Sequence, residues 1–465
     1  MFVLIARTSF RFRRDVIVLD EAAVRVADRL ADVLAGRVVV ATDPDYEQVR
    51  AVWNGAVEHR PAMIALCESS RDVRQAVLAA RAHRLPLSVR GGGHDWAGRA
   101  LCPGGMVIDL TRMRAVLVDP AGRVATALGG ATSGDAALAA SRYRLTPVIG
   151  TVSMVGLAGL SLGGGYSPLA PRYGLAADNL LGVQLVLADG RVVTADESTN
   201  PDLFWAVRGG GGNFGVVTAM RIRMHPVATV VSGAIVFQWS RAESVLRDHS
   251  ELSSSAPDEL GMVGGIFRTQ DGEPALTLSP VWCGDAAEGA RHLARLGAPA
   301  GQTFRTLPLH RTLAVPDARL PNGRHYEIRT RSLATLTPAA IDALMRAGSD
   351  LPSSTSVITW QYLRGAAARV PATATAFALR REHFMIQIIA SWAPSEDGAP
   401  HRAWAAELDR ALAREALPGG YPNLLAVDAL DQIAGAYGDN AERLQRIKWD
   451  VDPDRVFTAT PLPPS

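Results

Sequence analysis

The sequence predicts an α+β protein built from two domains, and three observations carry that expectation. The chain has 465 residues, more than one core of ordinary size fills. Its first half interleaves short apolar strands, amphipathic helices and hairpin turns, whereas its second half reads as longer strands separated by helices. Glycine clusters at 91–93, 129–130, 156–165 and 209–212 all precede residue 230, where the texture changes. The boundary is placed there.

The elements follow in order. Residues 23–35 put Ala23, Val26, Ala27 and Leu30 on one helical face. "AMIALC" (62–67) is a short apolar strand. "SSRDVRQAVLAARAH" then spaces Val73, Ala76, Val77 and Ala80 as a helix does, with a serine to cap it. "LPLSV" is the next strand, so the glycines at 91–93 end a β-α-β passage, where an anion-binding turn belongs. "RAVLVDPAGRVATAL" and "GVQLVLADGRVVTA" read as hairpins, the second turning at Asp189-Gly190. "PDLFWAVRGGGGNFGVVTAMRIRM" gives a short helix, a glycine turn and a strand. Beyond 231, strands such as "GAIVFQW", "ALTLSPVW" and "MIQIIASW" alternate with helices at 338–347 and 400–416. Alternation along the last of these strands puts His383, Met385 and Gln387 on one face.

Composition narrows the function classes. Apolar residues make up 48% and charged residues 20%, ordinary for a globular protein. A net charge of +2 gives no electrostatic case for nucleic acid or an anionic membrane as partner. Cys67, Cys102 and Cys283 are too scattered for a disulfide framework or a zinc site. The histidines lack metal-ligand spacing, so no metal is expected. No G-x-S-x-G elbow supports a serine hydrolase. No segment approaches the ~20 apolar residues of a membrane span. The start, "MFVLIARTSFRFRRD", is too short in apolar residues for a secretory signal, and a cytoplasmic protein with a loose N-terminal extension over residues 1–22 is expected.

One glycine cluster alone is a tight turn. Four in one half of the chain suggest a backbone wrapped around a long ligand carrying a pyrophosphate. A nicotinamide cofactor in a Rossmann pocket is the weaker alternative. "GLAGLSLGGGY" follows no clean strand, and no acidic residue ends a following one. His94, directly after the glycines, either caps the turn against phosphate or takes part in chemistry.

Several stretches together carry a resemblance: "VWNGAVEHRPAMIALCESSRDVRQAV", "LPLSVRGGGHDWAG", "GGMVIDLTRM", "GTVSMVGLAGLSLGGGYSPLAPRYGLAADNLLG", "NPDLFWAVRGGGGNFGVVT" and "AYGDNAERLQRIKWDVDPDRVF". They resemble the berberine bridge enzyme-like family of FAD-linked oxidases, within the vanillyl-alcohol oxidase, or PCMH-type, flavoprotein superfamily. The match is strong over 50–225 and 421–457 and weak over 231–360. It implies a two-subdomain PCMH-type FAD-binding domain over 23–230 and a substrate-binding domain over 231–420, with an antiparallel sheet covered by helices. A C-terminal segment, 421–465, returns to the FAD domain.

The resemblance also implies residue roles. His94 is the position bonded through a ring nitrogen to the 8α-methyl of FAD. Val152 stands where many members carry a second, cysteinyl link, so one covalent bond is expected. Val89, Arg90, Gly91, Gly92, Gly93, Gly150, Thr151, Val155, Gly156, Gly159, Gly164, Gly165, Asn179 and Val217 are expected to line the FAD. Tyr421 and Asn423, in "GGYPNLL", are expected to approach the isoalloxazine. The family's closing F-x-x-N-Q is replaced by Phe457-Thr458-Ala459-Thr460-Pro461, which removes an asparagine contact.

The activity implied is removal of a hydride from an alcohol, amine or activated C–H of a small or natural-product-like substrate, with molecular oxygen reduced to peroxide. A base must take the accompanying proton. Tyr421, Tyr362 in "WQYLRG" and Tyr326 in "RHYEIRTRS" are the catalytic candidates. Val155, three past the cysteine position, is the expected oxygen gate, a valine leaving room that a leucine fills. The alternatives are a flavin-dependent cyclisation or rearrangement in secondary metabolism, or a dehydrogenase using another acceptor.

Overall fold

Three sheets organise the chain, which we describe from a computed structural model over residues 21–294 and 301–463. The extension expected over 1–22 lies outside these residues except for its last two, which open the helix Glu21–Ala31. The first sheet holds β1 (Arg37–Val40), β2 (Met63–Leu66), β3 (Leu87–Arg90) and β4 (Met106–Asp109) in the order β1-β2-β4-β3. β2 is buried along its whole length, as a continuous apolar run demands. The helix Ser70–Ala82 connects β2 to β3, and its Asp72 N–H donates to the Ser69 hydroxyl that caps it. Val73, Ala76, Val77 and Ala80 are its buried face. β4 slots between β2 and β3, parallel to both.

The second sheet holds β5 (Val116–Asp119), β6 (Val124–Leu128), β7 (Thr146–Pro147), β8 (Leu180–Val186), β9 (Val192–Ala195) and β10 (Val216–His225). Its order is β5-β6-β10-β8-β9, with β7 against the end of β10. Both expected hairpins are present, as the antiparallel pairs β5–β6 and β8–β9. The chain leaves this sheet at His225 and enters the third at Val230.

The third sheet is antiparallel throughout. Its strands are β11 (Val230–Gln238), β12 (Leu260–Arg268), β13 (Pro274–Trp282), β14 (Gly301–Leu307), β15 (His325–Leu333), β16 (Val357–Leu363) and β17 (His383–Trp392), ordered β14-β11-β13-β12-β16-β17-β15. The helices Ala242–Ser255, Pro338–Ser349 and Ala399–Ala413 cover one face, burying Leu246, Leu344 and Leu408 against Ile266, Trp360 and Ile388. Period-2 alternation turns Gln361, Met385, Gln387 and Ile389 to the other face.

The C-terminal stretch lies against the glycine turn after Val207. Lys448 is buried and donates to the carbonyls of Asn213 and Phe457, each at 2.7 Å, and to Asp452. Asn213 Nδ2 donates to Thr460 Oγ1 at 2.7 Å. These bonds fix residues 457–460 beside the site described next. Among the described residues no helix is long and apolar enough to cross a membrane.

Candidate active site

A cavity of about 540 Å³ runs from β3 and the glycine turns to the uncovered face of the third sheet. The glycines explain how the chain lines it so closely. A Cβ at Gly92 would lie 2.3 Å from Gly156 N, so the 91–93 and 150–156 loops meet backbone to backbone. Gly93, at φ +66°, makes the left-handed turn that delivers His94. Gly159 has nothing within 4 Å of where a Cβ would sit and borders the cavity. Val89, Gly91, Gly92, Gly93, Gly150, Thr151, Val152, Val155, Gly156 and Val217 line the same space.

His94 lines the cavity with its imidazole stacked on Trp53, ring centroids 4.3 Å apart and planes 17° from parallel. Its Nε2 is buried and has no hydrogen-bond partner among the described residues. Burial brings its pKa down to about 4, which leaves the ring neutral near pH 7.

Tyr421 closes the wall between the glycine turns and the third sheet. Its buried hydroxyl oxygen accepts from Gly165 N–H at 3.1 Å and from Asn423 Nδ2 at 2.9 Å. Burial raises its pKa above the usual tyrosine value, and the two donors oppose that rise. Asn423 Nδ2 also donates to Leu160 O at 3.1 Å, so one amide ties the 421–424 turn to the 157–165 segment.

Six expected site residues sit off the cavity. The Arg90 guanidinium is claimed by Asp109, pinning β3 to β4. Asn179 spends its amide on the carbonyls of Tyr173 and Leu175 and its oxygen on His225 Nε2 at 2.7 Å. Gly164 backs onto the Phe377 ring, and Gly165 serves through its N–H to Tyr421. Tyr362 faces the opposite way from its neighbour Gln361, borders a separate pocket of about 220 Å³ and approaches Glu382 at 3.4 Å. Tyr326 lies under the indole of Trp53, centroids 3.9 Å apart, and donates its hydroxyl to Pro321 O at 2.7 Å. Of the three tyrosines, Tyr421 alone borders the cavity.

Other lining residues did not emerge from the sequence as site residues. Tyr166, in the "GGGYSP" run, lines the cavity edge-on to Tyr421 at 4.8 Å and contacts His383 Nε2 through its hydroxyl at 2.6 Å. His383 shares the strand face of Met385 and Gln387, but its imidazole is spent behind Tyr166 and on Arg381 O. Trp53, Trp96, Gln361, Gly215, Thr458 to Thr460 and the ion pair of Asp95 with Arg99 are also in the wall, beside Gly211 and Gly212 of the 209–212 cluster. Cys102 also reaches it, with its thiol pushed up by burial.

FAD fits these residues. Bare backbone lets a long ligand lie close, and a neutral imidazole with an unpartnered nitrogen faces the same space. A model of the FAD binding domain matches residues 61–196, and a model described as "Berberine and berberine like" matches 420–461. The chain is 31% identical over 446 residues to YgaK of Bacillus subtilis (strain 168), an uncharacterized FAD-linked oxidoreductase, covering 91% of this chain and 96% of that one. It is 42% identical to (R)-6-hydroxynicotine oxidase of Paenarthrobacter nicotinovorans over 192 residues, 41% of this chain and 42% of that one. The fold matches 6-hydroxy-D-nicotine oxidase from Arthrobacter nicotinovorans with a TM-score of 0.83 at 28% identity, over 92% of this chain and 97% of that one. Fold and site thus define an FAD-linked oxidoreductase of the PCMH type. The chain belongs to the berberine bridge enzyme-like family.

Proposed function

We propose that the protein is an oxidase that takes a hydride from an alcohol, amine or activated C–H group of a small neutral substrate, with FAD bonded once, to His94, and oxygen as final acceptor. When bound, FAD supplies the two-electron acceptor for this chemistry. The observation that carries the reading is Tyr421, a buried hydroxyl at the cavity wall whose oxygen is held by two N–H donors. Those donors favour the phenolate, so Tyr421 is the base that takes the substrate's proton at Oη.

The third sheet supplies the substrate's surroundings, which makes the region beyond 230 the substrate domain. Gln361 and Gln387 offer amides to the cavity, and those amides bond to no other described residue. Met385, Ile389, Ile328 and Leu320 exclude water around them. Among the described residues that line the cavity, the third sheet contributes no charged side chain, which favours a neutral substrate with groups that can both donate and accept hydrogen bonds. Val155 borders the cavity, and in this reading oxygen approaches past its short side chain.

A panel of small alcohols and amines mixed anaerobically with the holoenzyme tests the reading. Bleaching of the flavin by a neutral compound, followed by peroxide release in air, is the expected result. A single turnover giving a rearranged product at unchanged oxidation level would overturn it.

A further inference from the structure

We infer that Trp53 positions His94 for attachment to the flavin, and that chain from the substrate region holds Trp53 in place. The inference rests on the reading of His94 as the site of the covalent bond. It concerns what orients the imidazole before that bond exists.

Among the described residues His94 Nε2 has no hydrogen-bond partner, so no polar contact from them at that atom fixes the ring. The ring is held by its face instead. Three aromatic rings stack in the order Tyr326, Trp53, His94, with centroid separations of 3.9 Å and 4.3 Å and interplanar angles of 15° and 17°. Stacking covers one face of the imidazole and leaves its edge, where the nitrogen lone pair lies, free to react.

The middle ring is anchored on every side. The Trp53 backbone N–H donates to Gly93 O at 3.0 Å, tying its main chain to the residue just before His94. Its Nε1 donates to Leu320 O at 2.9 Å, and its carbonyl accepts from Gly323 N–H at 3.0 Å. Tyr326, the outer ring, belongs to β15 and donates to Pro321 O at 2.7 Å. Asn54 adds a bridge, donating to Trp96 O at 2.7 Å and accepting from Tyr326 N–H at 2.9 Å. The plane of His94 is therefore set by residues 320–326, far along the chain from the loop that carries it.

Joining an imidazole nitrogen to the 8α carbon removes one hydrogen from each. The electron pair left over is accepted by the isoalloxazine, from which dioxygen takes it as peroxide. The chain supplies no redox group to this step. It supplies orientation, and misplacement by about 1 Å can cost an oriented reaction roughly a hundredfold. A freely turning imidazole would keep FAD bound by the glycine loops yet join it slowly.

The test compares wild type, Trp53→Leu, Trp53→Phe and Tyr326→Leu as full-length proteins purified with FAD. Total FAD is read from absorbance, and the covalent share from flavin retained in an acid-precipitated pellet. Trp53→Leu is expected to hold FAD while its acid-stable share falls roughly tenfold or more, Trp53→Phe to recover most of it, and Tyr326→Leu to fall between. An acid-stable share equal to wild type in both leucine variants would overturn the inference and leave the His94 link standing. A colourless wild-type pellet would overturn both. Should Trp53→Leu fail to fold, Tyr326→Leu decides alone, because it removes only the outer ring and keeps the hydrogen bonds of Trp53.

Discussion

Asn423 Nδ2 donates to the hydroxyl oxygen of Tyr421 at 2.9 Å, and Gly165 N–H donates to the same oxygen at 3.1 Å. Both protein contacts are donors, so the oxygen is set up to carry negative charge. Tyr421→Phe removes it and should slow anaerobic flavin reduction by about a hundredfold or more, the usual scale of general-base catalysis. Reoxidation of the reduced enzyme should stay near the wild-type rate. An unchanged reduction rate in stopped flow would take the base role from Tyr421.

The pH dependence follows from the same residue. Burial, the larger influence, lifts the Tyr421 pKa above its usual value near 10, so below that pH the phenolate is the minor form. Its population then grows about tenfold per pH unit as pH rises through the neutral and mildly alkaline range. The limiting rate of flavin reduction should climb with it and show no plateau below about pH 9. In Tyr421→Phe this slope should vanish. A wild-type plateau already reached at neutral pH would contradict the assignment.

What was legible in the sequence was local. The glycine loop before His94, the two hairpins and the shared face of Met385 and Gln387 each follow from neighbouring residues. Which tyrosine reaches the cavity did not. Tyr362 is turned away because β16 pairs with β17 in a register that puts Gln361 opposite Met385 on the open side. Tyr326 is covered by an indole contributed from a distant part of the sequence. Arg90 sits in the motif that points at the cofactor, yet an aspartate 19 residues on takes its charge. Each outcome depends on a partner that no local pattern names.

The C-terminal wall offers a stability test. Lys448 is buried against Asp452, and Asp452 also accepts from Val456 N–H and Phe457 N–H, each at 2.9 Å. Lys448→Met leaves that carboxylate buried without its cation and should cost about 3 kcal/mol in urea unfolding. Adding Asp452→Asn should recover part of the loss. A Lys448→Met protein as stable as wild type would mean that the pair contributes little to holding residues 457–460.

Val155 lines the cavity on the 150–156 loop, beside Val152 and Gly156. One added methylene in a close-packed wall is enough to fill a void of the size oxygen needs. Val155→Leu should leave anaerobic reduction by substrate nearly unchanged and slow reoxidation by at least about tenfold, since overpacked positions yield little room. Equal reoxidation rates in the two proteins would remove Val155 from the path of oxygen.

The most direct measurement is the reoxidation of the wild type itself. Photoreduced holoenzyme is mixed with aerated buffer in stopped flow, and the return of flavin absorbance is followed together with peroxide. An oxidase should recover its oxidised spectrum much faster than free reduced flavin does, with one peroxide released per flavin. Recovery no faster than that of free flavin would contradict the oxidase reading and point to a dehydrogenase that passes its electrons to another acceptor.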